Sequence, residues 1–185
     1  MSNASSSSDN VFIYKQWDKQ LYHCALELGS ITLMPKPPGA DQLSDFIQYL
    51  QHKEIDVLVS LLQFDEINRH GLVHTDSICQ SHEINYINFQ IKDHFVPQFF
   101  LPFNQLIESL CQDLLAGKNI AIHCYAGIGR TGLTAAATLI KLGLQVDEAL
   151  IMLSQVRGLR VPETLEQISW LHHHAQLLSD HTTQL

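Results

Sequence analysis

The stretch Ile120–Gly143, IAIHCYAGIGRTGLTAAATLIKLG, decides the fold. An apolar run stops at Cys124, the five residues after it include Gly127 and Gly129, and Arg130 opens a small-residue run that reads as a buried helix. A strand that passes through a glycine-containing loop into a helix is a phosphate site for a physical reason. Backbone N–H groups converge on an anion there, and the helix N-terminus adds the positive end of its dipole. The loop contains no lysine, so it lacks the G-x-x-x-x-G-K-[ST] pattern of nucleoside triphosphate binding.

Working outward, the pattern is one of strands alternating with helices. Upstream, CALELGSITLMPKPPG reads as two short strands around Gly29, ended by Pro35, Pro37, Pro38 and Gly39. Asp41 is expected to cap a helix whose apolar face is Leu43, Phe46, Ile47 and Leu50. Ile55–Leu62 is too short for a core helix and suits a buried parallel strand. One or two short helices are expected between Phe64 and Gln80, a strand in EINYINFQI, and a helix from Phe99 to Ala116 ended by Gly117. NIAIH supplies a further central strand. After the quoted stretch, VDEALIMLSQVR and PETLEQISWLHHHAQLLSD read as two helices, the second starting with Pro162 near its first turn. The expectation is an α/β fold in one domain over residues 11–185, preceded by a serine-rich disordered tail, residues 1–10.

Composition bounds the chemistry. A chain of 185 residues supports one well-packed core, and 45% hydrophobic with 16% charged residues is globular. A formal charge of −8 with 11 Lys+Arg argues against broad binding to nucleic acid or to an anionic membrane surface. No apolar stretch approaches the roughly 18 to 20 residues needed to span a bilayer, and the N-terminus lacks a signal-peptide pattern, so a cytoplasmic protein is expected. Cys24, Cys79, Cys111 and Cys124 are widely spaced, with no C-x-x-C pair, which points to free thiols and to neither a disulfide scaffold nor a zinc site.

Cys124 stands first in the cradle, where the amides that bind phosphate would also favour a thiolate over a thiol. A thiolate inside an anion site is a nucleophile aimed at phosphorus. Arg130, six positions later, offers a planar fork to two phosphoryl oxygens, a geometry lysine does not copy. The Thr131 hydroxyl is placed to donate to the thiolate as it attacks or departs.

His123-Cys124-Tyr125-Ala126-Gly127-Ile128-Gly129-Arg130-Thr131-Gly132 resembles the signature H-C-x-x-G-x-x-R-[ST]-G of the cysteine-based protein tyrosine and dual-specificity phosphatases. The order of segments from about residue 26 to 178 is similar to the kinase-associated branch of the dual-specificity enzymes. That resemblance implies a protein tyrosine phosphatase-like fold, with a central, mostly parallel sheet of about four to five strands flanked by helices. It implies hydrolysis of phosphotyrosine, extending to phosphoserine and phosphothreonine, through a cysteinyl-phosphate, with no cofactor and no metal. The partner is then a phosphoprotein or phosphopeptide, and a monomer is expected. The catalytic set would be Cys124, Arg130, Asp93 and Thr131, with Tyr125, Ala126, Gly127, Ile128, Gly129 and Arg130 binding the substrate and His123 and Gln167 in support.

The family's general acid is an aspartate on a loop upstream of the cysteine. In INFQIKDHFVPQ, Asp93 lies 31 residues before Cys124, beside His94, and is expected to protonate the leaving group and then to deprotonate water. Where related enzymes carry Gln-Thr-x-x-Gln, this chain has Glu163-Thr164-Leu165-Glu166-Gln167, a departure at the residue that helps to place the hydrolytic water. His123 is expected to act through the loop backbone, since it points to the opposite strand face. Arg157 and Arg160 either meet a second substrate phosphate or pair with surface acids, His172, His173 and His174 read as solvated surface, and Cys24, Cys79 and Cys111 read as core residues. The alternative for the whole site is a catalytically weak phosphopeptide-binding module of the same fold.

Overall fold

The computed structural model describes residues 14–180; the expected tail, residues 1–10, and the expected start of order at Val11 lie outside them. A helical segment, residues 14–18 (α1), leads into a five-stranded sheet of order β1-β2-β5-β3-β4. The strands are β1 (Tyr22–Ala25), β2 (Ser30–Met34), β3 (Val57–Ser60), β4 (Asn85–Asn88) and β5 (Asn119–His123). Only β1 is antiparallel, pairing with β2; the β2–β5, β5–β3 and β3–β4 pairs are all parallel. The helices are α2 (Leu43–His52), α3 (Phe64–Arg69), α4 (Thr75–Ser81), α5 (Phe100–Leu115), α6 (Gly129–Lys141), α7 (Val146–Arg157) and α8 (Leu165–Ser179).

The period-2 geometry of the strands divides the core in two. Ile31 and Leu33 of β2, Val57 and Val59 of β3, and Ile120 and Ile122 of β5 pack with α5, α6, α7 and α8. Leu58, Ala121 and Met34 face the other way, onto Trp17, Phe46, Ile47, Tyr49 and Leu50 from α1 and α2. Each such aliphatic side chain removed from water contributes about 1.5–3 kcal/mol. All 13 residues of α6 are buried, and Ala135, Ala136 and Ala137 let it approach the sheet closely. Enlarging one of these alanines would overpack the contact, at a cost of about 1–3 kcal/mol.

Two helix starts differ from expectation. Asp41 is no cap: it lies in a 3-10 turn, Ala40–Gln42, and α2 begins after Gln42 without a side-chain cap. The cause is tertiary, since the Ala40 N–H donates to the Gly71 carbonyl and fixes the chain one turn early. Helix α8 starts at Leu165, not around Pro162, because the Thr164 hydroxyl accepts the Gln167 N–H while the Gln167 amide oxygen accepts the Thr164 N–H. That reciprocal capping box satisfies two end donors that proline cannot.

Candidate active site

Three adjacent parallel strands, β5, β3 and β4, deliver the site from their C-terminal ends, where open α/β sheets usually bind ligands. Strand β5 runs into residues 124–128, which curl beneath the N-terminus of α6. Cys124 is 3% exposed and belongs to the core facing α5–α8. His123 lies on the opposite strand face, fully buried, with its Nδ1 3.2 Å from the Cys124 carbonyl oxygen. A carbonyl only accepts, so Nδ1 carries the proton, and His123 meets the nucleophile residue through the backbone. Burial keeps this ring neutral, pulling its pKa down to about 4.

The loop is held in its curl by its neighbours. Gly127 has φ +70°, and a side chain there would collide with the backbone of Met34 and Pro35 at the end of β2. The Lys36 N–H donates to the Tyr125 carbonyl at 3.0 Å. From α7, Arg157 donates Nη2–H to the Ala126 carbonyl and Nε–H to the Gly127 carbonyl, both at 3.2 Å, while its guanidinium lies over the Tyr22 ring at 3.8 Å. Arg157 thus pairs with no surface acid among the described residues, and its fork is turned onto the loop carbonyls rather than outward as a second phosphate contact. Carbonyls turned out toward Arg157 leave the intervening loop N–H groups free to face an anion. Tyr125 is half exposed at the rim, its ring 5.3 Å from that of His70, and Ile128 is partly buried.

Arg130, 1% exposed, is the most heavily bonded side chain of the site. Its Nη1–H groups donate to Glu66 Oε2 at 2.7 Å and to the Ile91 carbonyl at 3.1 Å, and Nη2 donates to Glu66 Oε1 at 2.9 Å. Nη2 also meets Asp93 Oδ1 at 2.8 Å. Nε is buried without a partner among the described residues, so the Nε/Nη2 edge is the one left to a ligand. Burial opposes the guanidinium charge, but Glu66, Cys124 and Asp93 outweigh it and hold the proton more firmly. Glu66 responds in the opposite direction. Burial pushes its carboxyl up, and the Arg130 hydrogen bonds with the Gln63 N–H bring it below the ordinary carboxylate value. The Thr131 hydroxyl is completely buried and bonds neither Cys124 nor any other described residue.

Strand β4 leads to the loop carrying Asp93, which is half exposed and 2.8 Å from Arg130. His94, at φ +64°, places Nε2 3.4 Å from Asp93 Oδ2 and Nδ1 3.5 Å from Glu163 Oε2. Gln167 is buried, donating Nε2–H to the Phe95 carbonyl and so tying this loop to α8. The structure brings Cys124, Arg130, Asp93, Thr131 and Gln167 to one end of the sheet.

Two partners were invisible to sequence reasoning. Glu66 carries a capping signal, Gln63 followed three residues later by Glu66, but nothing local ties it to Arg130. Arg157 and the loop it grips lie 30 and 31 residues apart. Among the remaining candidates, His174 is not solvated surface: it stacks on Trp170 at 4.2 Å and on Phe100 at 5.2 Å. Cys79 and Cys111 are buried thiols whose pKa burial pushes up to about 12, and Cys24 shifts in the same direction. Among the described residues no helix is long and apolar enough to cross a membrane.

A five-stranded, mostly parallel α/β sheet with a cysteine, a glycine loop and an arginine at its carboxyl end has the arrangement of a cysteine-phosphatase class of fold. The comparisons give the family: residues 39–176 match "Dual specificity phosphatase, catalytic domain", and the chain belongs to that family. It is 30% identical over 129 residues to mouse receptor-type tyrosine-protein phosphatase R, covering 65% of this chain and 20% of that protein. It is 34% identical over 70 residues to rat cyclin-dependent kinase inhibitor 3, covering 37% of this chain and 33% of that one. The matches thus span a fifth to a third of these relatives' own length. In fold it is similar to kinase associated phosphatase with its catalytic-site cysteine replaced by serine, with a TM-score of 0.75 and 20% identity over 88% of this chain and 96% of that one.

Proposed function

We propose that this protein hydrolyses phosphomonoesters on protein side chains, phosphotyrosine and also phosphoserine or phosphothreonine, through a cysteinyl-phosphate and without a metal. The observation that carries the reading is the Arg130 guanidinium. It is buried and braced by Glu66, with an Nε that has no partner among the described residues beside an Nη2 shared between Glu66 and the half-exposed carboxylate of Asp93. A phosphoryl group on that edge accepts two parallel N–H bonds and lies in the loop that begins at Cys124.

In the first step the Cys124 sulfur attacks phosphorus, the bond to the leaving oxygen breaks, and Asp93 gives that oxygen its proton. Loop N–H groups and Arg130 bind the equatorial oxygens more strongly as charge builds on them. In the second step water displaces the sulfur, phosphate leaves, and the thiolate returns. Four free, buried cysteines agree with a reducing, cytoplasmic setting.

The test is hydrolysis of para-nitrophenyl phosphate by wild type and Cys124→Ser in chelator, with and without vanadate, followed by phosphotyrosine and phosphothreonine peptides. Turnover that survives chelator and is lost with vanadate and in the variant supports the reading, and the peptide ratio gives the substrate class. Folded, reduced wild type that binds phosphopeptide without turnover would replace it with the binding-module alternative.

A further inference from the structure

We propose that Glu163 is the base that activates water in the second step, with His94 returning the proton to Asp93. The inference rests on the cysteine-phosphatase reading above and concerns the half of the reaction that Asp93 alone was expected to serve. Its ground is the meeting of two carboxylates and one imidazole at the edge of the cradle. A Cβ at Gly129, the residue before Arg130, would lie 3.1 Å from Glu163 Oε2 and 3.1 and 3.2 Å from the amide atoms of Gln167. Glu163 therefore reaches the cradle backbone itself, and a side chain at Gly129 would have to push its carboxylate and the Gln167 amide aside by a few tenths of an ångström.

The two side chains crowding Gly129 are not equivalent. Gln167 is fully buried, with its oxygen accepting the Thr164 N–H and its nitrogen donating to the Phe95 carbonyl. Each of its amide atoms already makes one bond, the oxygen to the α8 cap and the nitrogen to the acid loop. Glu163 keeps a side chain 46% exposed, touching solvent beside the cradle, and among the described residues it pairs with His94. A carboxylate differs from an amide in one respect that matters here: it takes a proton from water as well as positioning it.

His94 completes the argument. Its two ring nitrogens stand 3.4 Å from Asp93 Oδ2 and 3.5 Å from Glu163 Oε2, a bridge that both carboxylates can use. The other charged group on Asp93 is Arg130. Among the described residues no three His, Cys, Asp or Glu side chains are placed to hold a metal ion, so the cluster is not a ligand set. In step one Asp93 loses its proton to the leaving oxygen; in step two the water oxygen bonds to phosphorus as the S–P bond breaks, its electron pair returning to Cys124. The water proton goes to Glu163 and from its carboxyl to His94 Nδ1, while the proton on His94 Nε2 passes to Asp93, so that Glu163 is again a carboxylate and Asp93 again an acid.

The test is rapid-quench kinetics of wild type, Glu163→Gln, Glu163→Ala and His94→Asn with para-nitrophenyl phosphate, following nitrophenol release and the phosphocysteine adduct by mass. For Glu163→Gln the expected result is adduct decay slowed about 10²-fold, with a stoichiometric burst of nitrophenol, lower kcat and unchanged kcat/KM. Glu163→Ala should match it, and His94→Asn should slow decay to a lesser extent. Adduct decay equal to or faster than wild type in Glu163→Gln, or kcat and kcat/KM falling together, overturns the assignment and leaves Cys124 chemistry standing. Folded, reduced wild type that releases no nitrophenol overturns the phosphatase reading, and this inference with it.

Discussion

Arg130 and Glu66, 64 residues apart, meet through two hydrogen bonds of 2.7 and 2.9 Å. The pairing leaves the guanidinium only its Nε/Nη2 edge for a ligand and fixes the plane in which that edge lies. Glu66 is itself held by the Gln63 N–H at the start of α3, so the orientation of the phosphate-binding fork is transmitted from the end of β3.

Removing one partner of a buried pair leaves the other charged and unmatched. Glu66→Ala is expected to lower unfolding free energy by about 3–5 kcal/mol, read by denaturant titration, and to weaken vanadate binding as Arg130 loses its plane. Glu66→Gln, which keeps an acceptor, should recover part of both. Because the Glu66 carboxyl is depressed by folding, its contribution is fully present above the ordinary carboxylate value of 4.5 and is lost as pH falls through its lower folded value. The acid limb of the stability curve should therefore flatten in Glu66→Gln. Unchanged stability in Glu66→Ala would mean that Asp93 and the Leu61 and Ile91 carbonyls suffice to hold Arg130.

Asp93 and a bound phosphoryl group compete for Nη2, whose second hydrogen Asp93 already takes at 2.8 Å. Asp93→Asn removes a negative charge from that edge, so vanadate and inorganic phosphate should bind more tightly. The gain is set by a half-exposed ion pair and amounts to roughly 1.5- to 5-fold. Phosphoryl transfer from a substrate with a poor leaving group should meanwhile slow by about 10²- to 10⁴-fold. Weaker vanadate binding in the variant would show that Asp93 holds Arg130 in place and does not compete for it.

Arg157 tests whether the cradle depends on a grip from outside. Its two bonds to the Ala126 and Gly127 carbonyls need a fork, and lysine reaches one of them at most. Arg157→Lys is expected to weaken vanadate inhibition about tenfold with a stability loss of about 1–3 kcal/mol, and Arg157→Met to do more of both. Vanadate inhibition equal to wild type would make Arg157 a purely structural contact with Tyr22.

How much of this was readable in the sequence follows from distance along the chain. The cradle was legible because Cys124, the glycines and Arg130 lie within one turn of backbone, and the strands because Val57–Ser60 and Asn119–His123 are short aliphatic runs. Contacts made by folding were not. Glu66 on Arg130, Arg157 on the loop carbonyls and His94 on Glu163 join segments 64, 30 and 69 positions apart, and no local pattern encodes such pairs. Helix starts failed for a different reason. At Asp41 a tertiary bond from Ala40 to Gly71 overrode the cap, while near Pro162 the Thr164–Gln167 box, itself written in the sequence, sets the helix start in place of the proline.

His123 gives the last prediction, because its burial links the cradle to pH. The neutral ring donates from Nδ1 to the Cys124 carbonyl, and its Nε2 has no partner among the described residues. Folded, it resists protonation down to about 4, whereas an unfolded histidine takes a proton near 6.5. Protons therefore bind the unfolded chain preferentially between those values, and the ring's contribution is complete above pH 6.5 and lost as pH falls toward 4. The shift corresponds to a loss of roughly 3 kcal/mol across that window. Denaturant unfolding at several pH values should show this slope in wild type and a shallower one in His123→Asn, whose amide still donates to the carbonyl but does not titrate. Equal slopes in the two proteins would put the acid sensitivity elsewhere, with Glu66 the next group to test.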